Sequence, residues 1–148
     1  MKNKIFNTSE SLAPFAIRIM LGIVVLPHGA QKLLGWFGGY GFSGTMVFFT
    51  DTQGLPWLIG LLIILLESIG AIALIAGLAT RIVAVFYSLL ALGIVFTSHI
   101  QNGFFMNWFG NQQGEGYEYF ILCIGTTISL VVTGAGEYSI ARCFLSNN

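Results

Sequence analysis

Four apolar stretches, at residues 12–34, 57–78, 80–100 and 117–133, set the terms for this 148-residue chain. Crossing the hydrocarbon core of a bilayer as a helix takes about 20 residues. In lipid every backbone N–H and C=O has to be satisfied within the protein, and a helix does so inside its own segment. The expected fold is an all-α membrane protein: an antiparallel four-transmembrane-helix bundle forming one domain over residues 1–148. Only 8% of the residues are charged and 55% are hydrophobic, against about 25% charged in an ordinary soluble domain. So few charges cannot cover a water-facing surface. The formal net charge is zero with no basic cluster, so nucleic acid is not an expected partner.

The links between spans differ in character. The first, WFGGYGFSGTMVFFTDTQGLP, is glycine-rich, then aromatic, and carries no charge before Asp51. It is too short to span, and residues 42–50 read as a short interfacial or re-entrant helix between the first two spans. Ala79, Thr80 and Arg81 join the second and third spans so tightly that these form a hairpin. The third link, QNGFFMNWFGNQQGEG, is polar but holds Phe104, Phe105, Trp108 and Phe109, residue types that favour the headgroup layer.

Charge sets the expected topology. Lys2, Lys4, Arg81 and Arg142 fall on one side of a four-span chain, and Lys32, Asp51 and Glu115 on the other. The positive-inside rule then puts both termini in the cytoplasm. The apolar stretch after Lys4 is too long for a signal-peptide core, contains Arg18 and has no small-residue cleavage site behind it, so it reads as a retained signal anchor. Cys123 and Cys143 form no CxxC pattern and predict neither a disulfide nor a zinc site. Small residues at Gly22 and Gly29, at Ala73 and Gly77, and at Gly125, Ser129 and Thr133 mark faces where helices can approach closely.

Arg18, His28, Lys32, Glu67, His99 and Glu118 lie within the spans or at their ends. A charge near the bilayer centre costs about 2.5–3.5 kcal/mol on insertion scales, so such residues face protein or a water-filled cavity. Arg18, His28 and Lys32 fall within about 80° of one another around the first helix. By helical rise Lys32, His99 and Glu118 lie near the outer surface, His28 roughly 9 Å in and Glu67 roughly 15 Å in. The expectation is a polar pocket in the outer half of the bundle, floored by Glu67. An ionised Glu67 needs a partner, expected in Arg18 or His28. A buried ion pair that only fixes helix register weighs equally. Bis-histidine haem is disfavoured, because His28 and His99 differ in depth by roughly 8 Å. His28, His99 and Glu118 have metal-binding chemistry, but no ligand spacing points to a site. Lys32 at a helix end can also snorkel to the headgroups, and Arg81 reads as a cytoplasmic anchor.

The stretch RIMLGIVVLPHGAQKLLGWFGGYG, residues 18–41, resembles the start of DoxX-family membrane proteins, with an Arg, a Gly and an HGxQK-like element in the first helix. LLESIGAIALIAGLATR at residues 65–81, the His99 region and GYEY at residues 116–119 extend the resemblance over nearly the whole chain. It implies a multi-pass protein of the bacterial inner membrane linked to redox chemistry. Some relatives are similar to the small subunit of thiosulfate:quinone oxidoreductase, and others associate with thiol- and superoxide-handling enzymes. By motif, Arg18, His28, Gln31, Lys32, Glu67, Arg81, His99 and Glu118 are the family-type polar positions.

Three functions compete at this point. A quinone-interacting redox component would use His28, Gln31 and Lys32 to hydrogen-bond carbonyl oxygens, with Glu67 or Glu118 relaying protons. No flavin, haem, iron–sulfur or dithiol motif is visible, so electrons would come from a redox partner protein or a soluble reductant. A non-enzymatic scaffold would use the buried ions for packing and the aromatic links for partners or membrane lipids. A small transporter would need a homo-oligomer, and the halves show no convincing inverted repeat.

Overall fold

A computed structural model describes residues 11–146, and every regular element within them is helical. In chain order these are α1 (Leu12–Leu34), α2 (Gly41–Val47), α3 (Trp57–Ala76), α4 (Thr80–Asn102), α5 (Glu118–Thr133) and α6 (Ile140–Ser146). α1, α3 and α4 are long and apolar enough to cross a membrane, whereas α5 is apolar but has 16 residues. At 1.5 Å per residue α5 reaches about 24 Å, short of the ~30 Å hydrocarbon core. A helix does stand between the first two spans: α2 runs on into a widened, π-type turn over Phe48–Thr52. Lys2 and Lys4, which carry part of the topology and signal-anchor readings, lie outside the described residues.

Local signals explain where the helices begin and end. The Ser11 hydroxyl accepts a hydrogen bond from the Ala13 N–H at 3.2 Å, covering one of the orphan donors at the start of α1. Gly35 stops α1 in the left-handed conformation, φ 74°. Gly77 does the same after α3, φ 70°, and Ala79 comes next at φ 49°, which makes the tight turn into α4.

Each long helix buries one stripe. On α3 the buried positions are Gly60, Ile64, Glu67, Ser68, Gly70, Ala71 and Leu74, and on α4 they are Thr80, Ala84, Tyr87 and Ala91. This is essentially the three-to-four residue spacing of a single helix face. α1 packs on α3 and α5, and α4 packs on α3 and most closely on α5. Their shared core is Leu21, Leu74, Ala84, Tyr87 and Leu130. Met46, Phe49 and Ile64 form a second cluster, with Leu33 and Leu55, that seats the α2 segment against α1 and α3. The outward faces carry exposed Ile69, Leu89, Leu122 and Val132. Such a surface suits hydrocarbon and not water.

The small-residue positions separate into two kinds. Gly29 lies directly on α3: a Cβ there would meet the Glu67 carbonyl oxygen, the Glu67 carbonyl carbon at 2.5 Å and the Ser68 nitrogen at 2.6 Å. Backbone cannot swing aside as a side chain can. Gly125, by contrast, has open space around its missing Cβ, so it is not a packing position within this chain. Gly29→Val should cost about 1–3 kcal/mol by overpacking. Gly125→Ala should be neutral or stabilising by up to about 1 kcal/mol, because alanine favours helix. Unfolding titrations of both variants in detergent micelles check the contrast; equal stabilities would contradict the close α1–α3 approach.

Candidate functional site

An irregularity in α3 positions the acid. Residues Leu66–Gly70 form a π-type turn, wider than the α-helical repeat. Such turns free backbone carbonyls and recur at functional sites. Here hydroxyls cover them: Tyr87 donates to the Leu66 carbonyl at 2.7 Å, and Ser68 to the Ile64 carbonyl at 2.5 Å. The bare backbone of Gly29 lies against the same turn. Glu67 is thereby turned toward α1, and its Oε2 lies 2.5 Å from Lys32 Nζ. The Lys32 and Glu67 side chains are 25% and 8% exposed.

Lys32, and neither Arg18 nor His28, is thus the partner of Glu67, which corrects the expectation from sequence. The reason is reach. Helical side chains lean toward the N-terminus of their helix, so the long stem of Lys32 comes back down α1 toward the level of Gly29. Counting depth by Cα position puts the ammonium too far out.

Arg18 stands apart, at the other end of α1, and is fully buried. Its Nε donates to the Ala135 carbonyl at 2.8 Å. Nη1 donates to the carbonyls of Leu74, at 3.0 Å, and Ile75, and Nη2 to those of Glu137, at 3.2 Å, and Tyr138, at 2.6 Å. All five N–H donors of a guanidinium are therefore used. The accepting carbonyls come from the last turn of α3 and from the loop between α5 and α6. Gly134, Gly136 and Tyr138 in that loop take positive φ, which wraps it around the cation. The Arg18 guanidinium also lies 5.0 Å from the centre of the Phe15 ring.

Beside the Lys32–Glu67 pair is a cavity of about 220 Å³ between α1, α3, α4 and α5. Leu21, Val25, Leu90, Ile94 and Phe120 make much of its wall apolar. Three residues singled out from sequence reach it: His28, Lys32 and Glu67. Gln31, His99, Glu118 and Arg18 do not line it. Gln31 faces the turn after α1, donating to the Phe37 carbonyl at 3.4 Å. His99 donates from Nδ1 to the Glu115 carbonyl at 2.8 Å and lies behind Phe120, ring centres 4.7 Å apart. Glu118 accepts from the Met106 N–H at 2.9 Å and from Trp108 Nε1 at 3.4 Å. His99 and Glu118 therefore fold the loop between α4 and α5. Among the described residues no group of three or more His, Cys, Asp or Glu side chains is placed to hold a metal ion.

Tyr87, Tyr119, Cys123 and Thr127 also line the cavity. A reading that looks for charges and histidines passes over them. The available signals are a tyrosine in mid-span on α4 and the spacing of Tyr119, Cys123 and Thr127, four residues apart on one face of α5.

Comparison with known proteins gives three matches. A family model described as DoxX matches residues 13–100, a range that includes His28, Lys32, Glu67 and Tyr87 and stops before α5. The chain is 32% identical over 129 residues to a Bacillus subtilis protein named "Putative oxidoreductase CatD", covering 87% of this chain and 84% of that protein. It is 28% identical over 138 residues to an Escherichia coli protein named "Inner membrane protein YqjF", covering 90% of this chain and 92% of that protein. No solved structure matches the chain.

Proposed function

This chain belongs to the DoxX family, and we propose that it is a redox-associated protein of the bacterial inner membrane whose cavity holds the ring of a membrane quinone. α5 serves as the fourth crossing of an antiparallel bundle. The contact order supports this: Gly22 meets Ala71 and Ile75 while Gly29 meets Glu67, and Arg81 reaches Val131 while Ser88 reaches Thr127. Both termini then lie in the cytoplasm, with Arg81 and Arg142 on that side.

The observation that carries the reading is the Lys32–Glu67 pair set in the wall of an otherwise largely apolar cavity, with His28 one turn from Lys32. A quinone presents an apolar ring with two carbonyl oxygens, and when bound it supplies two-electron, two-proton chemistry. The Lys32 ammonium and the His28 imidazole are donors for those oxygens. Glu67, held by Lys32, is a proton-exchanging group on the same wall. The electrons come from a redox partner protein or a soluble reductant.

Binding tests this directly. Full-length protein in lipid nanodiscs, titrated with decylubiquinone, should show saturable, stoichiometric uptake above the partition into protein-free discs. Uptake that tracks lipid content alone would overturn the proposal. The saturated carbonyl clamp around Arg18 favours a second reading, a non-enzymatic scaffold for a partner or a homo-oligomer. Under that reading phenotypes track protein level and quinone binding is absent.

A further inference from the structure

The volume of the cavity bears on how a ligand reaches it. At about 220 Å³ it falls below the ~300–1,000 Å³ of pockets that enclose drug-sized ligands. It takes one ring and little more. An isoprenoid tail has to lie outside, so the wall needs an opening on the tail's side.

The lining residues show where that opening is. On the α3 and α4 side no lining residue is exposed: Glu67, Tyr87 and Ala91 are buried, Tyr87 at 5% exposure, and Leu90 and Ile94 are half-buried. On the α1 and α5 side three of the residues that touch the cavity are also exposed on the outside. Val24 is 43% exposed, Tyr119 41%, and His28 is exposed as well. Further toward the start of α1, Leu21 and Leu130 close the same seam within the shared core. α1 and α5 thus meet at one end and part at the other. The parted region runs from Val24 and Cys123 to His28 and Tyr119, and helical rise puts Val24 roughly 15 Å and His28 roughly 9 Å below the Leu34 end of α1. That is within the apolar length of α1, facing acyl chains. His28 makes no hydrogen bond to the described residues, so its imidazole is free to serve a ligand at this mouth.

We propose that the ligand moves in sideways from the bilayer through the seam between α1 and α5, with His28 at the mouth and its apolar tail left among the lipids. This rests on the quinone reading and adds the route, the lipid-borne class of ligand and the position of the tail. The ligand would not pass through the loop between α4 and α5, which Glu115 and Glu118 hold folded by accepting the Asn107 and Met106 N–H groups.

Photo-crosslinking in nanodiscs tests the route. The probe is a ubiquinone analogue with a ten-carbon tail carrying a diazirine next to the ring, competed with decylubiquinone. Competable labelling should concentrate on peptides covering residues 20–30 and 117–127. Val24→Trp should cut it at least ten-fold, while Ile23→Trp, on the exposed face of the same helix turned away from the cavity, should leave it unchanged. Competable labelling on the outer faces of α3 or α4, or equal labelling of both variants, overturns the seam and leaves the quinone reading intact. Where Val24→Trp fails to fold, the peptide map of the unaltered protein decides alone. Absence of any competable labelling in the unaltered protein overturns the quinone reading, and the seam with it.

Discussion

Arg18→Leu should remove most folded protein from the membrane. The substitution keeps an apolar stem and deletes five hydrogen-bond donors at once. The carbonyls of Ile75, Ala135, Glu137 and Tyr138 then lose this partner, while the Leu74 carbonyl keeps the Gly77 N–H at 3.0 Å. Each buried acceptor left without one costs about 1–3 kcal/mol; the Ala135 carbonyl is buried, and those of Ile75, Glu137 and Tyr138 are partly so. A total above about 4 kcal/mol places this among the largest single-residue effects. Arg18→Lys keeps the charge but offers three donors in a different geometry. It should recover part of the stability and not all of it. Unfolding titrations in micelles, with the fraction of monodisperse protein from gel filtration, give the ranking. Arg18→Leu as stable as the parent would mean that the clamp does not hold α3 to the α5–α6 loop.

The second large effect is a reversal. Lys32→Leu alone leaves the Glu67 carboxylate in an apolar wall without its cation. Losing one member of a buried pair costs about 3–5 kcal/mol; partial exposure of Lys32 lowers the expected figure to about 2–3 kcal/mol. Adding Glu67→Leu removes the stranded charge. A buried pair replaced by apolar residues is often neutral in stability, so the double variant should return to within about 1 kcal/mol of the parent. Decylubiquinone binding should not return with it. That combination separates the two readings of the pair. Restored stability with restored binding would make the pair a packing device; restored stability without binding makes it part of the ligand site.

The span positions are legible in the sequence because runs such as LLIILL leave a helix no other solvent than lipid. α1 and α3 begin where the apolar stretches begin. α5 is legible as a helix, though its length falls short of a standard crossing. The ionisable residues are less legible, for two physical reasons. Helical angle and rise locate Cα atoms, whereas Lys32 acts at the end of a four-carbon stem. The π-type turn at Leu66–Gly70 also rotates the later part of α3 relative to a regular helix, and nothing in LESIG announces that. Arg18 reads as a pocket residue because a buried guanidinium invites an acidic partner. Its true partners are backbone carbonyls, exposed by glycines in the TGAGEY loop, and carbonyls have no sequence signature. His99 and Glu118 do lie near helix ends as their sequence positions suggest, but backbone groups of the neighbouring loop reach them first.

The shortness of α5 has a bearing on the bilayer itself. With α5 as the fourth crossing, its ~24 Å against a ~30 Å core leaves a hydrophobic mismatch on one flank of the protein. Lipids beside a short helix thin to meet it. Tyr119 sits at the second position of α5, so the dimple brings hydrated headgroups down toward that side of the molecule. Water and exchangeable protons would be drawn toward His28 there, while the opposite flank, built from full-length α3 and α4, stays under a bilayer of ordinary thickness.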